Sequence, residues 1–115
     1  MLALETAREE SRLKQARSAD VKAAVQKVGR EFRLVVANEG PVSAKNLRVL
    51  LDGKPLLEHR LILRGENEIT MLGPGVQASY ILAVTMGSAG LLNVKILWDD
   101  ESGEPRQWES QLKVI

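Results

Sequence analysis

The chain has 115 residues, 44% of them hydrophobic and 27% charged, enough for one core but not two, and a composition unlike that of disordered chains. Sixteen basic residues against fifteen acidic leave a formal charge of +1, which supplies no general field toward nucleic acid or anionic lipid. The absence of cysteine excludes disulfide frameworks, thiolate metal sites and cysteine nucleophiles, while leaving the compartment open.

No charge-free run approaches the roughly 18–20 apolar residues of a membrane span, so a soluble chain is expected. The opening "MLALETAREE" carries charges where a signal peptide needs an apolar stretch. Residues 2–18 hold helix formers without Gly or Pro, with Glu10 and Lys14 at a favourable i, i+4 spacing, which predicts a helix. Its apolar residues Leu2, Leu4, Ala7, Leu13 and Ala16 form no continuous stripe, so a charged spacer over residues 1–18 is favoured over a dimerising coil. A β-domain over residues 20–115 follows.

From residue 20 the hydrophobic period becomes two, and each hairpin can be tested by whether its turn sets apolar against apolar. In "VKAAVQKVGREFRLVVAN" a two-residue type II′ turn at Gly29 and Arg30 pairs Val25 with Leu34 and Ala23 with Val36. In "NEGPVSAKNLRVLLDGK" the Asp52-Gly53 dipeptide is a type I′ signal; it sets Val49 opposite Leu56, with Leu47 and Leu51 on the face of Val49. The stretch "EHRLILRGENEITML" suggests short edge strands at residues 60–63 and near 69–72. After the turn cluster "LGPG", the run "VQASYILAVTM" places Val76, Ala78, Tyr80, Leu82 and Val84 on one face.

The closing segment "LLNVKILWDDESGEPRQWESQLKVI" is aligned by its faces. A two-residue turn at Ser102 and Gly103 mismatches them. A three-residue loop of Glu101, Ser102 and Gly103, with Gly103 left-handed, pairs Ile96 with Trp108 and Leu92 with Leu112. Seven or eight short strands with one apolar face each bury those faces by stacking two antiparallel sheets, so the expected fold is an all-β, immunoglobulin-like sandwich of about seven strands behind an N-terminal helix.

The order "VVANEG" at a strand end, "LRVLLDGK" as a strand and its turn, "LGPGVQASYILAV" as a turn into a mid-domain strand, and a final hairpin resembles bacterial immunoglobulin-like domains of the CARDB or APHP type over residues 20–115. The closing "WDDESGEPRQWESQLKV" departs from the Asn- and Glu-rich hairpin of that family. With its charged helix, the whole chain looks like the terminal part of small membrane-anchored bacterial proteins of uncharacterised function. That resemblance implies a membrane association only through a segment absent from this chain, and names no ligand.

Sites of chemistry are few. His59 is the single histidine; it could act as a general base or metal ligand, but a metal needs three or four convergent ligands, so a structural or surface role is expected. Asp99, Asp100, Glu101 and Glu104 in "DDESGE" gather carboxylates at a hairpin tip, yet the spacing fails the calcium-loop pattern and a solvated turn explains them. "GSAG" at 87–90 lacks nucleophile-elbow spacing, and "LGPG" enters a strand, not a helix. Trp98 and Trp108 fall on the inward face, favouring core packing over a sugar- or peptide-binding platform. Residues 20–115 carry twelve basic and twelve acidic groups, so no nucleic-acid interface is expected. The reading is a non-catalytic protein-interaction or structural module without cofactor, catalytic residue or metal site, its partner another protein or itself. The alternative is a carbohydrate- or calcium-binding domain, or an enzyme using His59.

Overall fold

In the computed structural model, which describes residues 17–59, 62, 69–83 and 90–114, alternation of apolar and polar residues has produced seven strands in two antiparallel sheets. The strands are β1 (Val21–Val28), β2 (Glu31–Asn38), β3 (Lys45–Leu51), β4 (Lys54–Pro55), β5 (Gln77–Leu82), β6 (Leu91–Asp99) and β7 (Arg106–Lys113). One sheet has the order β1-β2-β5, the other β4-β3-β6-β7. Their facing rows form one core: Val21, Ala23, Leu34, Val36, Ala78, Tyr80 and Leu82 from the first sheet, and Leu47, Val49, Leu51, Leu92, Val94, Ile96 and Trp98 from the second. At about 25 cal/mol per Å² of apolar surface removed from water, such a two-layer contact is what the fold rests on.

The three turn-defined registers are as expected. Val25 faces Leu34 and Ala23 faces Val36, around Gly29 at φ +62° with Arg30 outside the positive region. Leu51 faces Lys54, with Asp52 and Gly53 both at positive φ, as a type I′ turn requires. Ile96 faces Trp108 and Leu92 faces Leu112, with Gly103 at φ +78°.

Other expectations are corrected. Val49 does not pair with Leu56: β4 stops at Pro55, and residues Leu56–Glu58 turn into a short 3-10 helix that buries Leu56 from outside the sheet. Val76 is 48% exposed, because it closes the turn before β5, its N–H donating to the Gly73 carbonyl. Val84 lies outside the described residues. The two edge strands expected near 60–63 and 69–72 reduce, among the described residues, to single bridges of Ile62 with Leu82 and Leu72 with Ala44. The helix expected over 2–18 lies outside the described residues except for Arg17, which is in a turn, and Ser18, which is irregular. Ser18 and Ala19 are already buried. Among the described residues no helix is long and apolar enough to cross a membrane.

A bulge between Lys45 and Arg48 shifts β3 against β6. Asn46 absorbs it at φ +49°, a conformation that Asn tolerates better than most residues. The bulge frees the Leu47 N–H to bond the Thr70 carbonyl at 2.8 Å, holding the 69–72 segment against β3.

Candidate functional site

Polar side chains gather at three places. The first is at the end of the sandwich where β1 begins. Strand alternation puts Asn38 inward after Leu34 and Val36, and it is 1% exposed. A buried amide must find partners for both ends, and this one does. Its Oδ1 accepts from the Asp20 N–H at 3.1 Å and the Gly40 N–H at 3.0 Å. Its Nδ2 donates to the carbonyls of Val42 at 2.7 Å and Leu72 at 3.0 Å. Asn38 thus ties three chain segments together: the start of β1, its own loop over residues 38–42, and Leu72. Gly40 completes the arrangement, since a Cβ there would stand 2.6 Å from the Asp20 nitrogen and 2.8 Å from the Ser18 carbonyl oxygen.

The second is the loop between β6 and β7, where the acidic tip does not converge on a cation. Asp100 turns inward, its side chain fully covered. It accepts from the Ala19 N–H at 2.9 Å, from the Ser102 N–H at 2.9 Å and from the Ser102 hydroxyl. Burial pushes its carboxyl pKa up, but the Ser102 and Ala19 hydrogen bonds and the charge of Arg106 outweigh this and hold it below the ordinary value. Asp99 instead accepts from the Asn46 amide at 3.0 Å. Glu101 and Glu104 are exposed. Among the described residues no group of three or more His, Asp or Glu side chains is placed to hold a metal.

The third is at the opposite end. Asp52, left-handed in the β3–β4 turn, accepts from the Asn93 N–H at 3.0 Å through Oδ1 and meets His59 Nε2 at 2.9 Å through Oδ2. Its own N–H donates to the Asn93 carbonyl at 2.8 Å. The His59 side chain is 7% exposed, that of Asp52 41%. Burial raises the Asp52 pKa, and the Asn93 N–H with the hydrogen bond and charge of His59 brings it below the ordinary value. A His–Asp pair is two members of a catalytic relay, and a relay needs a nucleophile on the other ring nitrogen. Through Nε2 on Asp52, and Asp52 on Asn93, the pair pins the turn, the end of the 3-10 helix and β6 together.

Trp98 is buried in the core. Trp108 shares its face but sits at the rim, half-buried. "LGPG" is a turn whose Gly75, at φ +73°, donates its N–H to the Asn38 carbonyl at 2.9 Å. "GSAG" falls outside the described residues apart from Gly90. Two open clefts flank the first end: one of about 320 Å³ between Asp20, Glu39, Pro41 and Arg106, and one of about 450 Å³ between Asn46, Arg48, Thr70 and Asp99.

Two features escaped the sequence reading. The Asp52–His59 pair had no signal beyond two titratable residues seven apart. Asn38 had one, a polar residue at an inward position of an alternating strand. Compared with known proteins, the chain matches no family model, no curated protein and no solved structure.

Proposed function

We propose that the chain is an immunoglobulin-like module that works by non-catalytic interaction with protein. The topology supports the fold assignment: β1-β2-β5 against β4-β3-β6-β7 is the A-B-E and C′-C-F-G order of immunoglobulin sandwiches, with no strand D among the described residues. The same order, with "VVANEG" ending β2 and "LGPG" leading into β5, supports the kinship with CARDB- and APHP-type domains. The observation that carries the functional reading is how the candidate reactive groups are used. His59 is committed to Asp52 and Asp100 to Ala19 and Ser102, so the two best acid–base candidates are spent on holding loops, and what remains for function is surface and sheet edge.

The test is affinity capture with the full chain, carried out in parallel with Asp52→Asn and His59→Gln variants. The reading expects a partner, or a second copy, retained by all three proteins as long as they remain folded by circular dichroism. Loss of a measurable turnover, or of partner engagement, in a folded His59→Gln variant would make the pair a chemical site and overturn the reading.

A further inference from the structure

We propose that the outer edge of β7 is a self-association surface, on which a second copy of this chain lays its own β7 antiparallel about a two-fold axis at Ser110. This rests on the interaction-module reading and names the partner as the chain itself.

Among the described residues no strand pairs with that edge. β7 runs for eight residues without Pro or Gly, in unbroken register with β6 from Leu91–Lys113 to Trp98–Arg106. The ladder phase shows which groups are outward. The Val114 N–H donates to the Gly90 carbonyl, and hydrogen-bonding direction alternates along a strand. Residues 106, 108, 110 and 112 therefore bond β6, while Gln107, Glu109, Gln111 and Lys113 direct their N–H and C=O groups away from the sheet. β4, the other edge of this sheet, is two residues long and ends at Pro55, which protects it. On β1, the long edge strand of the opposite sheet, the inward residues Val21 and Ala23 are buried and only Val25 is half-buried. On β7 the inward residues Trp108, Ser110 and Leu112 are all only half-covered. An added strand would finish their burial.

The sequence of β7 is self-complementary in one register. Centring the axis on Glu109 sets like charges directly opposite, which is unfavourable. Centring it on Gln111 pairs Glu109 with Lys113 but leaves Leu112 opposite Ser110. Centring it on Ser110 sets Trp108 opposite Leu112 twice, Glu109 opposite Gln111 and Gln107 opposite Lys113, with no like charges facing. Exposed ion pairs contribute little and buried apolar pairs more, so the Ser110 axis is favoured. It also makes Ser110 a non-hydrogen-bonded pair with its mate, at about 4.5 Å between Cα atoms, within the span of a disulfide.

The full chain, which has no native cysteine, tests this directly by sedimentation and by mild oxidation of Ser110→Cys. The expected result is concentration-dependent dimerisation, with Ser110→Cys cross-linking roughly tenfold or more faster than Gln111→Cys or the exposed Ser79→Cys, because paired sites see a raised effective concentration. Gln111→Pro removes an outward N–H and leaves the β6 ladder intact, so it should abolish the dimer with the melting temperature preserved. A chain monomeric at all concentrations, a Ser110→Cys no faster than the other two cysteine variants, or a dimer that persists in folded Gln111→Pro each overturns the proposal. A monomeric chain that still captures another protein sinks this surface and leaves the module reading standing.

Discussion

Two polar groupings at opposite ends of the sandwich, around Asn38 and around Asp52, hold their segments by different chemistry. At the end where β1 begins, a neutral amide, Asn38, is buried with four hydrogen bonds to backbone. At the other end a carboxylate, Asp52, with 41% of its side chain exposed, meets a buried histidine. A neutral buried group holds its stabilisation at any pH, but loses heavily if one partner goes, because backbone groups are then stranded. A charged pair at a rim is screened and replaceable, and its contribution depends on protonation. The first arrangement suits a junction of three segments. The second suits a single turn.

The sharpest way to break this contrast is Asn38→Ala, which orphans the Asp20 and Gly40 N–H groups and the Val42 carbonyl, while the Leu72 carbonyl keeps the Ala44 N–H. We expect a loss of about 3–5 kcal/mol in urea unfolding, since each stranded buried group costs about 1–3 kcal/mol and the site relaxes in part. A loss below about 1 kcal/mol would mean that the amide is not a junction. Next comes Gly40→Ala, whose new Cβ meets backbone at 2.6 Å and not a movable side chain. A loss of about 2–3 kcal/mol is expected, in the range of overpacking, with the β3–β4 turn unaffected in hydrogen exchange.

Acid titration next separates the neutral amide from the two carboxylates, Asp52 at the far end and Asp100 beside Ala19. The Asp52 and Asp100 carboxyls are held below their ordinary values, so the unfolded chain binds protons that the folded one does not. Their stabilisation is complete above the ordinary carboxylate pKa and disappears as pH falls through the folded-state values. Asp52→Asn and Asp100→Asn should each flatten the fall in stability below about pH 4, whereas substitution at Asn38 should shift the whole curve without changing its slope. Equal slopes in all variants would contradict the assignment.

The smallest effect is expected from truncation. Removing residues 1–16 should leave the melting temperature within a few degrees, under roughly 1 kcal/mol at this size. Beginning the chain at Val21 should lower it distinctly, because Ala19 and Asp20 give three backbone bonds, to Asp100, Asn38 and Glu39. A steep drop on removing residues 1–16 alone would show that the segment packs on the sheets.

What could be read from the residues alone was whatever depends on chain neighbours. Gly29, Asp52-Gly53 and Gly103 dictate turn geometry through their own backbone preferences, and a turn of known length sets the register of its two strands. Hence Val25–Leu34 and Ile96–Trp108 were legible, as was the inward face shared by Trp98 and Trp108. β4 shows the limit of that logic: the register was right, but the strand ended at Pro55 and the chain turned into the 3-10 helix that buries Leu56. The order of strands, the Asn38 junction, the inward turn of Asp100 and the Asp52–His59 pair were decided by the tertiary structure alone. Each joins groups brought together only when the two sheets close on their core, so their energies come from burial and no local preference encodes them.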